Sequence, residues 1–562
     1  MYQITMAYSY WFNAKHEQAS VYDLFTRKNP FGAPRLPLGC PSAEPACCAA
    51  AAADPARRAR CARAGGEFTI FCGLEECVRF IANFSFSDEQ VDYLRSIMPA
   101  ADPAFFDWLA TVDCSKVSVY ALEEGTVCFP RVPLLRIEGP LAVCQMLETP
   151  LLNLCNYATL VCTCAARLKV AAGPGKQLLE FGARRAQGPD GAISASRYSY
   201  IGGFDGTSNV QAGMMFGITP RGTHAHSYIM AYTGLDDLKE DGGRSLRTTA
   251  GEEIDLVQQA QEWGAKLKEA AGIVTGNQGE LAAFIAYARS YPSNFLALVD
   301  SYDTLKSGIP NYLAVSLALH AAGYEPVGVR LDSGDLAYLS REVRAMFVRA
   351  AEAFELPSFG KHRIVASNDI NEKTLESLNQ QGHEIDVFGI GTNLVTCQGQ
   401  PALGGVYKLC EIEGKPRIKL SQEVEKVTLP GRKEAYRLYN RDGDPVLDLM
   451  CRVGGETPQE GRRILCKHPF DEVKRCYMTP SKVEKLHTLV WGPPEEGADS
   501  LLLRDLPSIE QVRNTAMARL DTLRTDHRRL LNPTPYKVSV STELHTHLHQ
   551  LWQSNVPITD LS

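Results

Sequence analysis

The first residues of this 562-residue chain, Met1-Tyr2-Gln3-Ile4-Thr5-Met6, lack the basic start, the apolar run and the cleavage site of a secretory signal. Cytosolic residence is therefore the expectation. The 17 cysteines include no CxxC pair. Their scatter excludes a compact disulfide framework or a zinc ribbon and predicts reduced thiols. Positive charge is not in excess either. A formal net charge of -7 and a pI near 6.0 exclude a chain-wide footprint for nucleic acid or acidic lipid, though not a local basic pocket. No repeat, coiled coil or long basic tail supports a scaffold. The uncharged run at 149–166 contains Pro150, Asn153 and Asn156. It reads as a buried or subunit-interface helix and not as a membrane span.

What the chain does have is length for two or more domains. From about Ala142 to Thr392, short apolar runs alternate with helical periods, the pattern of parallel βα units. Strands are expected at Phe295 to Val299, Val327 to Leu331, from Ile364, and at Ile385 to Ile390. Helices are expected at Asn311 to Ala322, after Gly334, and at Glu372 to Asn379. In a βα barrel such strand ends share one rim, where an active site is built. The flanks, before about 140 and after about 405, are turn-rich and are expected to pair into a second domain. The boundaries are thus 1–140, 141–404 and 405–562. Residues 33–65, rich in Ala, Arg, Pro and Cys, read as a disordered insertion.

Chemistry-bearing residues gather at the expected strand ends. Gly222-Thr223-His224-Ala225-His226-Ser227 is read as a strand end that places both imidazoles on one side. The neutral His226 ring can attack a phosphoryl group, with Thr223 and Ser227 as candidates to orient it. Gly389-Ile390-Gly391-Thr392 offers backbone N–H groups and a hydroxyl to phosphate oxygens, although a tight turn explains the same residues. Asp332 and Asp335 can take ribose hydroxyls or a hydrated magnesium ion. Arg330 can grip a carboxylate in a two-pronged bond, or pair internally with an aspartate. Arg184 and Arg185, after Glu180 and Gly182, read either as a pyrophosphate clamp or as a solvated face. The polar turn Asp205-Gly206-Thr207-Ser208-Asn209 carries the same two readings. His545, His547 and His549 have helical spacing but no companion ligands, and read as a surface feature of a C-terminal helix.

As a set these residues resemble the nicotinate phosphoribosyltransferase family, its vertebrate-type members in particular. The motifs that carry the likeness are Tyr2-Gln3-Ile4-Thr5-Met6, Asn29-Pro30-Phe31-Gly32, Arg184-Arg185-Ala186-Gln187-Gly188-Pro189-Asp190, Gly202-Gly203-Phe204-Asp205, the 222–227 and 330–335 segments, Gly389-Ile390-Gly391-Thr392 and Gly404-Gly405-Val406-Tyr407-Lys408-Leu409. The resemblance implies an α/β fold of the type II phosphoribosyltransferase kind: an irregular, TIM-like α/β barrel beside an α+β sandwich built from both chain flanks. It implies a homodimer with active sites at the subunit interface. The implied reaction joins nicotinate to phosphoribosyl pyrophosphate, giving nicotinate mononucleotide and pyrophosphate on the way to NAD. ATP is the implied co-substrate, coupled through a phosphohistidine, with magnesium, or manganese in its place, as the metal.

Carried over residue by residue, His226 matches the phosphorylated histidine. Thr223 and Arg330 match nicotinate contacts, Arg330 answering the carboxylate. Tyr2 matches an aromatic that stacks on the pyridine ring from the partner subunit. Thr392, Gly389 and Gly391 match the grip on the ribose 5-phosphate. Arg184 and Asp332 match pyrophosphate and ribose or magnesium, respectively. The alternatives are a nicotinamide phosphoribosyltransferase with the same sugar donor, and a non-catalytic sensor that binds phosphoribosyl pyrophosphate.

Overall fold

The computed structural model describes residues 1–31, 68–239, 244–492, 506–530 and 532–556. The insertion expected at 33–65 lies outside the described residues. Two compact units divide the chain, Ala165–Gln398 and the combination of Met1–Cys164 with Gly399–Ser562. The domain boundaries therefore fall at 164/165 and 398/399, where the sequence reading set them at 140/141 and 404/405.

In the Ala165–Gln398 unit six short strands form one wholly parallel sheet, in the order Leu296–Leu298, Gly328–Leu331, Arg363–Ser367, Val387–Ile390, Gln177–Glu180, Gly206–Thr207. Their apolar runs are buried on both faces, which is why they lack the alternation of a half-exposed strand. Numbered along the chain, this order is cyclic. The last strand returns to pair with the first, and one seam stays open between Gly206–Thr207 and Leu296–Leu298. The sheet is thus an irregular, incompletely closed α/β barrel, as the resemblance implies.

The expected elements appear within a few residues of their sequence positions. Helices Ile309–Ala321, Leu336–Ala353 and Glu372–Gln381 follow their strands. Asp335 and Asn371 accept N–H bonds at the starts of the last two, the usual way of satisfying the first turn's free donors. Asp335 therefore caps its helix through Oδ1, a role the sequence reading did not assign to it. A second correction concerns 222–227: residues 222–225 form a loop, and His226 opens the short helix His226–Met230.

The other unit contains two six-stranded sheets. In one, strand Ala19–Thr26 pairs antiparallel with both Pro133–Pro140 and Gly405–Ile412, so the two chain flanks are hydrogen-bonded to one another. The second sheet, built around Lys433–Tyr439 and Pro445–Arg452, comes wholly from the C-terminal flank. One hydrophobic core draws residues from both sheets, among them Tyr22, Leu24, Ile137, Ala435, Met450 and Val540. The expected sandwich is present. The uncharged run at 149–166 lies in helix Glu148–Ala172, which is long and apolar enough to cross a membrane, yet 72% of its most apolar window is buried inside the protein. The C-terminal histidines lie on helix Thr542–Asn555, but His545 is buried and its ring meets that of His549 at 4.3 Å. For His545 that corrects the reading as a surface feature, while His547 and His549 are partly exposed. Among the described residues no three potential ligands come together for a metal, and none of the 13 described cysteines forms a disulfide.

A buried ion pair braces the C-terminal sheet. Arg437 donates from Nε and Nη2 to both oxygens of Asp448, each at 2.9 Å, and its Nη2 also reaches the Val127 carbonyl. Tyr536 donates to Asp448 Oδ1 at 3.0 Å while its ring stacks on Phe129. Removing one member would strand the other charge in a low-dielectric interior, which costs about 3–5 kcal/mol. Asp448→Ala is accordingly expected to destabilise this unit by about that amount, read as a lowered denaturation midpoint. Arg437→Met with Asp448→Leu, which removes both charges, is expected to recover most of the loss.

Candidate active site

All functional candidates of the barrel unit come from its strand ends or from the loop at its open seam. On one side of the seam, the Arg221 N–H donates to the Thr207 carbonyl at 2.7 Å and Pro220 forms a parallel bridge with Thr207. On the other side, the Leu298 N–H donates to His224 Nε2 at 3.3 Å. A side-chain nitrogen thus stands where a neighbouring strand would offer a carbonyl. Burial lowers the His224 pKa to about 4, so the ring is neutral and keeps the lone pair this bond needs. Its face is closed by Tyr228 and Tyr287. His224 is therefore a seam residue.

Two residues further on, His226 Nε2 lies 3.2 Å from Asp300 Oδ1. The imidazole is 40% exposed and the carboxylate 3%. Asp300 is held by the Asp332 N–H at 3.1 Å and by the Ser333 hydroxyl, both on its other oxygen. A buried, doubly anchored carboxylate against one ring nitrogen fixes the tautomer and leaves the second nitrogen for chemistry. Neither Thr223 nor Ser227 hydrogen-bonds the ring. The Thr223 hydroxyl is enclosed without a protein partner, so orientation of His226 falls to Asp300. Asp300 directly follows the strand expected at Phe295 to Val299. That position was the one signal available.

Arg330 and Asp332, at the end of the next strand, approach to 3.5 Å between Nη2 and Oδ1. Between them stands Ser367, whose hydroxyl accepts from Arg330 Nε at 3.0 Å and donates to Asp332 Oδ1. Directly after it, Asn368 and Asp369 take φ of 127° and 45°, strained values that concentrate at functional sites. Phe181, also missed in the sequence, follows the strand Gln177–Glu180 with its ring 5.8 Å from Arg330 Cζ. It explains the glycines of the GxGT segment. A Cβ on Gly389 would meet the Phe181 ring at 2.4 Å, and one on Gly391 would meet its carbonyl at 3.1 Å. Thr392 opens the helical turn Thr392–Thr396 beside them. Glu180, fully buried, takes the Gly182 N–H on one oxygen and the hydroxyls of Ser196 (2.9 Å) and Thr207 (2.5 Å) on the other. It thereby fixes the turn that carries Phe181 and the exposed Arg184. Tyr2 begins helix Tyr2–Phe12 of the other unit, 53% exposed.

Three stretches of the chain match descriptions of one family. Residues 56–156 match the nicotinate phosphoribosyltransferase N-terminal domain, 176–298 the family itself, and 432–548 its C-terminal domain. Nicotinate phosphoribosyltransferase 1 of Arabidopsis thaliana is 50% identical over 100% of this chain and 94% of its own length. The chain belongs to the nicotinate phosphoribosyltransferase family. The Homo sapiens member is 42% identical over 99% of this chain and 96% of its own, so identity is higher to the plant relative than to this vertebrate one. The crystal structure of human nicotinic acid phosphoribosyltransferase superposes with a TM-score of 0.82 at 41% identity, covering 98% of this chain and 99% of that one.

One further buried acid belongs to this family member's barrel. Glu280 accepts from the Ser307 hydroxyl at 2.5 Å and from Asn311 Nδ2 at 3.1 Å, while its Oε1 is enclosed without a partner. Burial pushes its pKa up to about 7 despite those two hydrogen bonds, with Asp300 and Asp303 adding repulsion. A carboxyl raised in the folded state favours folding below its unfolded pKa, and that contribution is lost as pH rises through the folded value. The window here runs from about 4.5 to about 7. Glu280→Gln, which mimics the protonated form, is therefore expected to melt near the wild type at pH ~5 and above it at pH ~8, as followed by calorimetry. Equal melting temperatures at both pH values would contradict an ionising Glu280.

Proposed function

We propose that this chain joins nicotinate to phosphoribosyl pyrophosphate, releasing nicotinate mononucleotide and pyrophosphate, and couples the transfer to ATP hydrolysis through a phosphohistidine at His226. The observation that carries the coupling is the His226–Asp300 pair. With Nε2–H donated to Asp300 Oδ1, Nδ1 keeps its lone pair. That nitrogen attacks the γ-phosphorus of ATP, a P–N bond forms, the P–O bond to ADP breaks, and the ring's growing positive charge faces the Asp300 carboxylate. Water later takes the phosphoryl group as phosphate.

In the transfer step the pyridine nitrogen of nicotinate attacks the ribose anomeric carbon as the bond to pyrophosphate breaks. Arg330 answers the nicotinate carboxylate, Thr223 lies beside the ring, and Tyr2 of the partner subunit stacks on it in a homodimer. Thr392 with Gly389 and Gly391 takes the 5-phosphate, and Arg184 the departing pyrophosphate. Asp332 is the carboxylate suited to ribose hydroxyls or magnesium. With no three-ligand cluster among the described residues, its donor set fits an ion that keeps its waters and is held mainly by substrate phosphates. Such an ion, when bound, neutralises charge on the leaving pyrophosphate. Manganese fits the same oxygen donors. A cytosolic homodimer follows from the family resemblance.

Product detection by mass spectrometry, with phosphoribosyl pyrophosphate, magnesium and either nicotinate or nicotinamide, each with and without ATP, tests the reading. Nicotinate mononucleotide formed faster with ATP is expected. Product from nicotinamide alone would place the substrate in the amide class, and binding of the sugar donor without product would make the chain a sensor. His226→Ala is expected to abolish the ATP-dependent increment. Asp300→Asn, which favours the wrong tautomer, is expected to lower it by roughly 10²–10⁴-fold.

A further inference from the structure

A guanidinium presents two usable edges to a carboxylate: the side-on fork of Nε and Nη2, and the end-on edge of Nη1 and Nη2. At Arg330 the side-on fork faces protein acceptors. Nε donates to Ser367 Oγ at 3.0 Å and Nη2 lies 3.5 Å from Asp332 Oδ1. The Ser367 hydroxyl cannot reverse its polarity here, since it accepts from a cation and spends its one proton on Asp332. It is also fixed in place. Ser367 is 6% exposed at the end of strand Arg363–Ser367, which runs in register with Gly328–Leu331, and the chain leaves the strand at once through Asn368.

We propose that Ser367 is a positioning residue that sets acid-versus-amide selectivity, by holding Arg330's side-on fork within the protein and reserving its end-on edge for the planar carboxylate of an aromatic acid. The proposal deepens the reading of this rim as a nicotinate pocket and rests on it. Two parallel N–H donors suit the two oxygens of a carboxylate. A carboxamide offers one oxygen and turns an N–H₂ donor toward the second Nη, which is a mismatch. Without the Ser367 hydroxyl, Arg330 and Asp332 are free to close their 3.5 Å gap. The cation would then be spent internally, and a substrate carboxylate would compete with Asp332 for it.

The test is steady-state kinetics of the full-length protein with nicotinate and nicotinamide, for wild type, Ser367→Ala, Ser367→Cys and Ser367→Thr. Loss of the hydroxyl is expected to raise the nicotinate KM roughly tenfold while kcat changes less than about threefold, and to lower the acid-to-amide ratio of kcat/KM by a similar factor. A defect of packing alone would move kcat or stability and leave that ratio unchanged. Ser367→Thr keeps the hydroxyl and is expected to retain wild-type selectivity. Ser367→Cys keeps the size with a far weaker hydrogen-bonding group, so it gives the answer even if the alanine variant does not fold. Nicotinate turnover by wild type with KM and selectivity unaltered in the alanine or cysteine variant overturns this proposal alone. Wild type that uses only nicotinamide overturns the nicotinate reading and this proposal with it.

Discussion

The barrel has one seam that backbone pairing does not close, and the hydrogen bond from the Leu298 N–H to His224 spans it. Everything proposed for His226 depends on that junction. The bond registers the 222–226 loop against strand Leu296–Leu298, and two residues beyond each partner lie His226 and Asp300, whose contact follows from the register. A lone-pair acceptor is required, and burial supplies it by keeping the imidazole neutral. A strand in place of the loop would have completed the sheet but put its side chains on alternate faces. The loop instead turns into a short helix and carries His226 to the rim.

Around that junction the strand ends are held by buried acids. Glu180, Asp300 and Glu280 sit behind three different connections, and each accepts hydrogen bonds from backbone N–H groups or from hydroxyl and amide side chains. Buried carboxylates are tolerated only with such donors, and the donors fix the loop geometry in return. Glycines supply the complementary space. Gly389 gives way to the Phe181 ring, and Gly308 packs so closely that a Cβ would stand 1.9 Å from the Val299 carbonyl, one residue before Asp300. Small residues and buried acids are thus parts of one arrangement that brings side chains to the rim from five strands.

Much of this was legible in the sequence because it rests on local signals. The alternation of apolar runs and helical periods located the parallel strands, and their polar ends located the rim. Arg330, Asp332 and His226 were found because their residue types stood at such ends. The family resemblance assigned them roles. Asp300, Phe181 and Ser367 were not found, since an aspartate, a phenylalanine and a serine at strand ends are ordinary until their partners 74, 149 and 35–37 positions away are known. The capping role of Asp335 was not read from the sequence, because a helix cap and a ligand share the same residue type. The strand expected at 222–227 failed because a side chain, not a neighbouring strand, satisfies the seam.

By itself the sequence determined the class of fold, the pairing of the two flanks, and the family, because hydrophobic period, capping residues and motif spacing are written along the chain. The tertiary structure alone decided which polar groups meet: Asp300 with His226, Ser367 between Arg330 and Asp332, Phe181 over Gly389. The physical reason is that hydrogen bonds and ion pairs act over a few ångströms. Only the register of the folded strands brings residues this far apart in the chain within that distance.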